Sequence, residues 1–220
     1  MNINEELKNI LEWVICIIIA VVLGLWIRYY IMTPTQVQSV SMKPTLIEGQ
    51  RLILNRTIRL THKLPERGDI ITFEAPTEDY LTEAEFKESP TARYEEPENK
   101  FVHNVLEIGK VSYIKRVIAL PGEHVKIQNG KVYVNGEELE EDYLSSSVKT
   151  EAEGGLLVDF TVPEGTVFAM GDNRNNSKDS RFMDVGMVTT ESIIGHAKFR
   201  LLPFGDLGKL DWYSLGFEER

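Results

Sequence analysis

One cysteine, Cys16, occurs in 220 residues, and it lies inside an apolar run, so no intrachain disulfide can form. That scarcity suits either redox compartment. Histidine is rare too: His62, His103, His124 and His196 are scattered, and none stands in a metal-binding or G-x-S-x-G setting. A zinc site and a Ser-His-Asp triad are both disfavoured. Basic residues are outnumbered, 24 against 34 acids, for a net charge of −10. About −9 of that lies beyond residue 32. Such a surface speaks against nucleic acid as a partner and for a soluble body held slightly off anionic lipid. Past residue 32 no segment carries a sustained helical period, which argues against an all-helical body. An apolar content of 42% with 26% charge excludes wholesale disorder.

One long apolar run is present. Trp13 to Ile27 is uncharged, and Ile10, Leu11 and Tyr29 to Met32 extend it to about the 20 residues that a bilayer core requires. Glu12 and Arg28 can reach toward the interfaces, and Trp13, Trp26, Tyr29 and Tyr30 suit the aromatic belts. A removable secretory signal should begin with basic residues, whereas Met1 to Lys8 holds two acids and one lysine. Residues 1–9 therefore read as a tail, 10–32 as a single transmembrane anchor and 33–220 as the folded body. Lys8 against Arg28 leaves the orientation open by charge.

In the body, short runs rich in Val, Ile, Thr, Tyr and Phe are separated by turn residues, which predicts a mainly β domain. Arg51 to Asn55, Asp69 to Phe73, Val111 to Leu120, Thr166 to Met170 and Gly195 to Arg200 read as strands. Asn129-Gly130 and Asn135-Gly136 flank Val132-Tyr133-Val134 and predict a small β-meander, because a type I′ turn needs positive φ at both central positions. Two stretches, approximately 74–104 and 137–160, lack a core pattern. The first is acidic and reads as a solvated insertion, the second as a similar surface loop or subdomain edge. Trp212 to Phe217 is apolar but too short to span, so it is expected to pack in the core.

Three elements carry chemistry. Ser41, within Ser39-Val40-Ser41-Met42-Lys43-Pro44, sits in a non-helical loop about ten residues past the anchor. Lys115 lies in apolar company, Tyr113-Ile114-Lys115-Arg116-Val117-Ile118. A hydroxyl nucleophile needs a base, and a desolvated lysine can serve. On a strand, Lys115 shares a face with Tyr113 and Val117, while Arg116 faces the other way and needs a carboxylate. Bland alternatives stand beside these readings: a solvated turn serine and a snorkelling edge-strand lysine. Ser112 and Lys115 also form an S-x-x-K pattern, but on a strand that spacing puts them on opposite faces. The third element, Gly171 to Arg181, is too polar for a core. It reads as a rigid self-bonded turn or a calcium loop, and Arg174, Lys178 and Arg181 argue against the cation.

In order and spacing, Ser39 to Pro44, Arg67 to Phe73, Tyr113 to Gly122 and Gly171 to Arg181 behind an anchor resemble the bacterial type I signal peptidases, the membrane-bound Ser-Lys leader peptidases. The resemblance implies a β-rich peptidase domain with Ser41 as nucleophile and Lys115 as general base for attack and for deacylating water. Ser177 matches a hydroxyl that orients the lysine amine, and Ser39 one that joins the Ser41 N–H in an oxyanion hole. Asp179 with Arg181, and Arg116 with Asp172, match structural pairs. Met42, Tyr113 and Ile114 are expected to line shallow pockets for small residues at −1 and −3. The implied partners are exported preproteins bound as an added strand, the lipid bilayer and a nearby secretion translocon, with no metal or other cofactor. The implied location is the cell membrane, crossed once, with the catalytic body on the extracytoplasmic side. Two rivals remain. A self-cleaving repressor peptidase would need a DNA-binding domain where this chain has an apolar segment. A silent β module that only binds exported chains would not need Ser41, Lys115 and Ser177.

Overall fold

Helix α1, Ile3–Tyr30, follows from the uninterrupted run of good helix formers and apolar residues, and the rest of the chain covers none of its apolar stretch. At about 1.5 Å per residue its 28 residues exceed the ~30 Å hydrocarbon core of a bilayer. It begins ahead of Ile10 and ends at Tyr30. After Ile31 the chain enters a strand directly at Met32, so no linker separates helix from body. The computed structural model describes residues 3–77, 82–145, 147–150, 157–203, 205 and 207–210. Trp212 to Phe217 lies outside the described residues.

Among the described residues twelve strands and two short α-helices follow, besides a π-helical turn at Val102–Leu106 and a 3-10 turn at Thr190–Ser192: β1 Met32–Gln36, β2 Arg51–Asn55, α2 Ile58–Thr61, β3 Ile70–Glu74, α3 Glu83–Glu88, β4 Ser112–Ala119, β5 His124–Gln128, β6 Lys131–Val134, β7 Glu137–Glu138, β8 Asp159–Thr161, β9 Thr166–Met170, β10 Val188–Thr189, β11 Ile193–Leu202 and β12 Gly208–Lys209. The larger sheet runs β1-β2-β11-β3-β4-β9-β10, with β12 beside β11, and the smaller runs β7-β6-β5-β8. All strand pairings are antiparallel. The smaller sheet contains the meander that the Asn-Gly pairs predict: Asn129, Gly130, Asn135 and Gly136 all have positive φ.

Alternation along the strands builds three apolar clusters. Ile118, Phe168 and Met170 of the larger sheet pack with Val125, Ile127, Val132 and Val134 of the smaller one. Met42, Leu46, Leu52, Leu54, Ile70 and Ile194 form a second cluster, and Ile71, Phe73, Val117, Val167 and Ala169 a third.

The reading of 74–104 as merely solvated needs correction. Helix α3 starts with a capping box, Thr82 and Glu85 each accepting from the other's backbone N–H, and its Phe86 is fully buried in the inter-sheet cluster. Ala92 then donates to the Met187 carbonyl, fastening the segment to the body. The second stretch is also packed: Leu139, Tyr143, Thr150 and Leu157 are buried. Single anchors set among acids give no periodic signal, so the sequence reading missed them.

Candidate active site

Strand β4 has one open edge where its neighbours differ in length. Val117 exchanges bonds with Gly68 and Asp69, and the Val111 carbonyl accepts from Ala75 N–H, so the odd-numbered residues point their backbone groups at β3. Even-numbered residues point the opposite way, as the antiparallel ladder requires. On that side β9 begins its pairing at Arg116, which leaves the backbone groups of Ser112 and Ile114 without a strand partner. Strand β1, at the end of the sheet, pairs only with β2 among the described residues. A cleft of about 330 Å³ lies between β1 and β4, lined by Pro34, Gln36, Ser39, Ser41, Ser112, Tyr113, Ile114 and Lys115 among others.

At one end of this cleft Lys115 Nζ stands 2.9 Å from Ser41 Oγ and donates to the Ile114 carbonyl at 3.0 Å. Both residues are about 95% buried, Ser41 at 5% exposure and Lys115 at 4%. Tyr113, on the same strand face, holds its ring centroid 5.4 Å from the amine. Burial disfavours the ammonium and lowers the lysine pKa from 10.5 to about 8, while the carboxylates of Asp179 and Asp172 pull weakly the other way. The hydroxyl thus has a partner that gives up its proton near neutrality.

The loop bearing Ser41 is held by groups from the polar turn after β9. Asn173 N–H donates to the Ser41 carbonyl at 2.9 Å, and Asn173 Nδ2 donates to the Val40 carbonyl at 3.1 Å. Ser41 N–H donates to Ser39 Oγ at 3.1 Å, which places the Ser39 hydroxyl beside the amide expected to bind an oxyanion. Ser177 Oγ is buried against Gly171, whose missing side-chain position also abuts the Ser41 carbonyl, and makes no hydrogen bond among the described residues. Lys115 therefore contacts Ser41 rather than Ser177.

Two buried ion pairs set this turn. Arg116 Nε and Nη2 donate to Asp172 Oδ1 and Oδ2 at 2.9 and 2.7 Å, and Thr45 Oγ1 adds a third bond to Asp172. The guanidinium also lies 4.0 Å over the Tyr143 ring. Arg181 pairs with both oxygens of Asp179, and Asp179 Oδ2 accepts from Gly171 N–H. Arg116 faces away from Lys115, as strand alternation predicts, and its required carboxylate is Asp172.

Of the residues expected to shape substrate pockets, Tyr113 and Ile114 line the cleft, whereas Met42 is fully buried in the apolar cluster that Ile114 packs against. Sequence reasoning gave no role to Asn173, Gly171 or Arg174. Arg174 ties the turn to the second insertion through Glu141, Thr150 and Tyr143, and donates back to the Gly171 carbonyl. The density of Asn, Asp and Arg in the turn was the available signal, but it does not reveal which backbone they grip. The arginines that argued against a cation are occupied with these carboxylates and carbonyls.

A family model described as signal peptidase, peptidase S26, matches residues 10–202. Signal peptidase I S of Bacillus subtilis is 36% identical over 214 residues, covering 94% of this chain and 97% of that protein. Probable signal peptidase I-1 of a Synechocystis species is 36% identical over 198 residues, covering 90% and 85%. A crystal structure of a signal peptidase I from Enterococcus faecalis is 29% identical and covers 61% of this chain and 97% of its own, with a TM-score of 0.38. The sequence matches carry the assignment.

Proposed function

Because the chain belongs to the signal peptidase family, peptidase S26, whose members remove signal peptides, we propose that it does so as a membrane-anchored Ser-Lys endopeptidase. Ser41 is the nucleophile and Lys115 the general base. The contact that carries this reading is the 2.9 Å approach of a buried lysine amine to a serine hydroxyl beside an open strand edge.

The geometry supports the following mechanism. An extended preprotein segment lies between β1 and β4 and bonds to the backbone of Ser112 and Ile114, an added strand. Its scissile carbonyl reaches Ser41 Oγ, and neutral Lys115 takes the hydroxyl proton as the C–O bond forms. The carbonyl oxygen replaces Ser39 Oγ as acceptor for the Ser41 N–H, and the Ser39 hydroxyl turns its proton toward the same oxygen. One such donor is typically worth about 3–4 kcal/mol in the transition state. The ammonium then protonates the leaving amine, and the same amine draws a proton from the water that releases the acyl group.

Ser177 Oγ, which makes no hydrogen bond among the described residues, is the hydroxyl that would orient the Lys115 amine once Ser41 is acylated. The closeness of Tyr113 and Ile114 to the dyad, with Met42 packed beneath, leaves room for small side chains at −1 and −3. The anchor is α1, crossing the membrane once, with the catalytic body on the extracytoplasmic side close to the translocon that delivers preproteins.

Purified full-length enzyme incubated with a preprotein should yield a mature product whose amino terminus follows a small residue. Ser41→Ala and Lys115→Ala should each abolish that cleavage without changing the circular dichroism spectrum. Retained cleavage in either variant rejects the dyad, and an intact-mass adduct with a serine-acylating inhibitor that survives Ser41→Ala rejects the nucleophile.

A further inference from the structure

The body is acidic overall, but one stretch runs against that balance. Arg56-Thr57-Ile58-Arg59-Leu60-Thr61-His62-Lys63-Leu64 contains two arginines, a lysine, a histidine and no acid. It forms α2 and the turn after it, packed at the carboxyl end of α1. Arg59 places its guanidinium 4.3 Å over the Tyr29 ring and donates to the Tyr29 carbonyl at 3.4 Å. Those contacts fix its height at the last turn of the helix, the headgroup level if α1 spans the bilayer.

Beside it opens a cavity of about 430 Å³, lined by Tyr29, Arg59, His62 and Lys63. Its two acids do not neutralise Arg59. Glu74 is engaged by His103 and Lys110, each at 2.7 Å, and Glu191 makes no ion pair with Arg59 among the described residues. Glu107, the nearest carboxylate acting on Arg59, is held by Arg28 and Arg56. Among the described residues Arg59 makes no ion pair, whereas Lys63 forms an exposed one with Glu66 at 2.7 Å that a phosphate in the cavity would have to replace. Burial and the neighbouring Arg56 lower the Arg59 pKa, so the charge sits there at a cost that an anion would offset. Leu60 and Leu64 are about half exposed on the same turn. They offer apolar contact next to the cations, a combination that matches a molecule with both an anionic head and an acyl tail.

We propose that this cavity binds the phosphate headgroup of an anionic phospholipid, with Arg59 and Lys63 as its cationic contacts and Leu60 and Leu64 against the acyl chains. The site rests on the reading of α1 as a membrane span. It shares Lys110 with the cleft that holds Ser41 but contains neither Ser41 nor Lys115. It also means that the acidic body is not held off the bilayer everywhere but touches it at one basic rim.

The test uses the full chain reconstituted in phosphatidylcholine vesicles containing a photoactivatable phosphatidylglycerol or its phosphatidylcholine counterpart, with crosslinks mapped by mass spectrometry. Phosphatidylglycerol adducts on residues 56–64 should exceed phosphatidylcholine adducts about 30-fold, since each of the two cations near the surface contributes about 1 kcal/mol. Arg59→Gln with Lys63→Gln should bring that ratio to about one, and Lys63→Gln alone, an exposed change that leaves the fold intact, should lower it partway. Lys126→Gln with Lys131→Gln on the smaller sheet should leave it unchanged. Equal adducts in the unaltered chain, or a ratio insensitive to both α2 variants, overturns the site. Removal of the adducts by free glycerol phosphate reassigns the cavity to a soluble phosphoester and overturns the lipid. Loss of the protein from phosphatidylcholine vesicles on alkaline carbonate extraction rejects the span itself, and the site with it.

Discussion

Gly171 leaves its side-chain position to Ser177: a Cβ built there would lie 2.2 Å from Ser177 Oγ and 2.4 Å from the Ser41 carbonyl oxygen. The polar turn can therefore press against the Ser41 loop only because residue 171 has no side chain. Gly171→Ala should displace Ser41 or Ser177, and a misplacement approaching 1 Å can cost on the order of 100-fold in rate. The check is kcat on a preprotein alongside a melting curve. Full activity would mean that the contact is not needed.

The fold was legible where a pattern repeats. Strand alternation placed Lys115 with Tyr113 and opposite Arg116, and the Asn-Gly pairs located the meander. Long-range facts were not legible. That Phe86 reaches the inter-sheet core and Tyr143 lies between Arg116 and Arg174 depends on where an irregular segment lands, and no local period encodes that. Asn173 stood in plain view within the turn, yet its grip on Val40 and Ser41 joins residues more than 130 apart. Family resemblance singled out Ser41 and Lys115; the geometry adds what surrounds them.

Turnover should rise with pH through about 8, where Lys115 loses its proton. Below that value the amine is charged and cannot accept the Ser41 proton. A kcat/KM profile flat from about pH 6 to 9 would exclude an amine base of this pKa.

The same lowered pKa predicts that the lysine strains the fold. A cation whose pKa falls from 10.5 to about 8 opposes folding fully below the lower value, and the penalty vanishes above the higher one. The shift corresponds to about 3 kcal/mol at neutral pH. Lys115→Met should be inactive yet more stable at pH 7, with its advantage shrinking toward pH 10.5. Equal or lower stability at pH 7 would show that the amine's bonds to Ser41 and Ile114 compensate its burial.

Arg116 and Asp172 are both fully buried in side chain. Removing one partner strands a charge, so Asp172→Ala or Arg116→Ala should each lose about 3–5 kcal/mol. Replacing the pair by Arg116→Met with Asp172→Leu should recover much of that loss, measured by urea unfolding. Additive losses in the double variant would argue that the pair does not act as a unit.

Asn173 offers the sharpest separation of positioning from binding. Its amide side chain donates to the Val40 carbonyl while its backbone N–H holds the Ser41 carbonyl, so two successive peptide groups of the Ser41 loop hang from one residue. Asn173→Ala removes one part-buried neutral bond, worth about 1 kcal/mol. Asn173→Asp sets a carboxylate oxygen against the Val40 carbonyl and should do more harm despite its matching shape. Because the cleft between β1 and β4 is untouched, both changes should lower kcat and leave KM nearly constant. The expected falls are about fivefold for alanine and about 30-fold for aspartate, the range spanned by 1–2 kcal/mol. Steady-state kinetics on a preprotein, with Asn173→Gln as a partial rescue, resolves the matter. A rise in KM at constant kcat would place Asn173 in substrate binding, and equal effects of alanine and aspartate would remove the side-chain bond from the account.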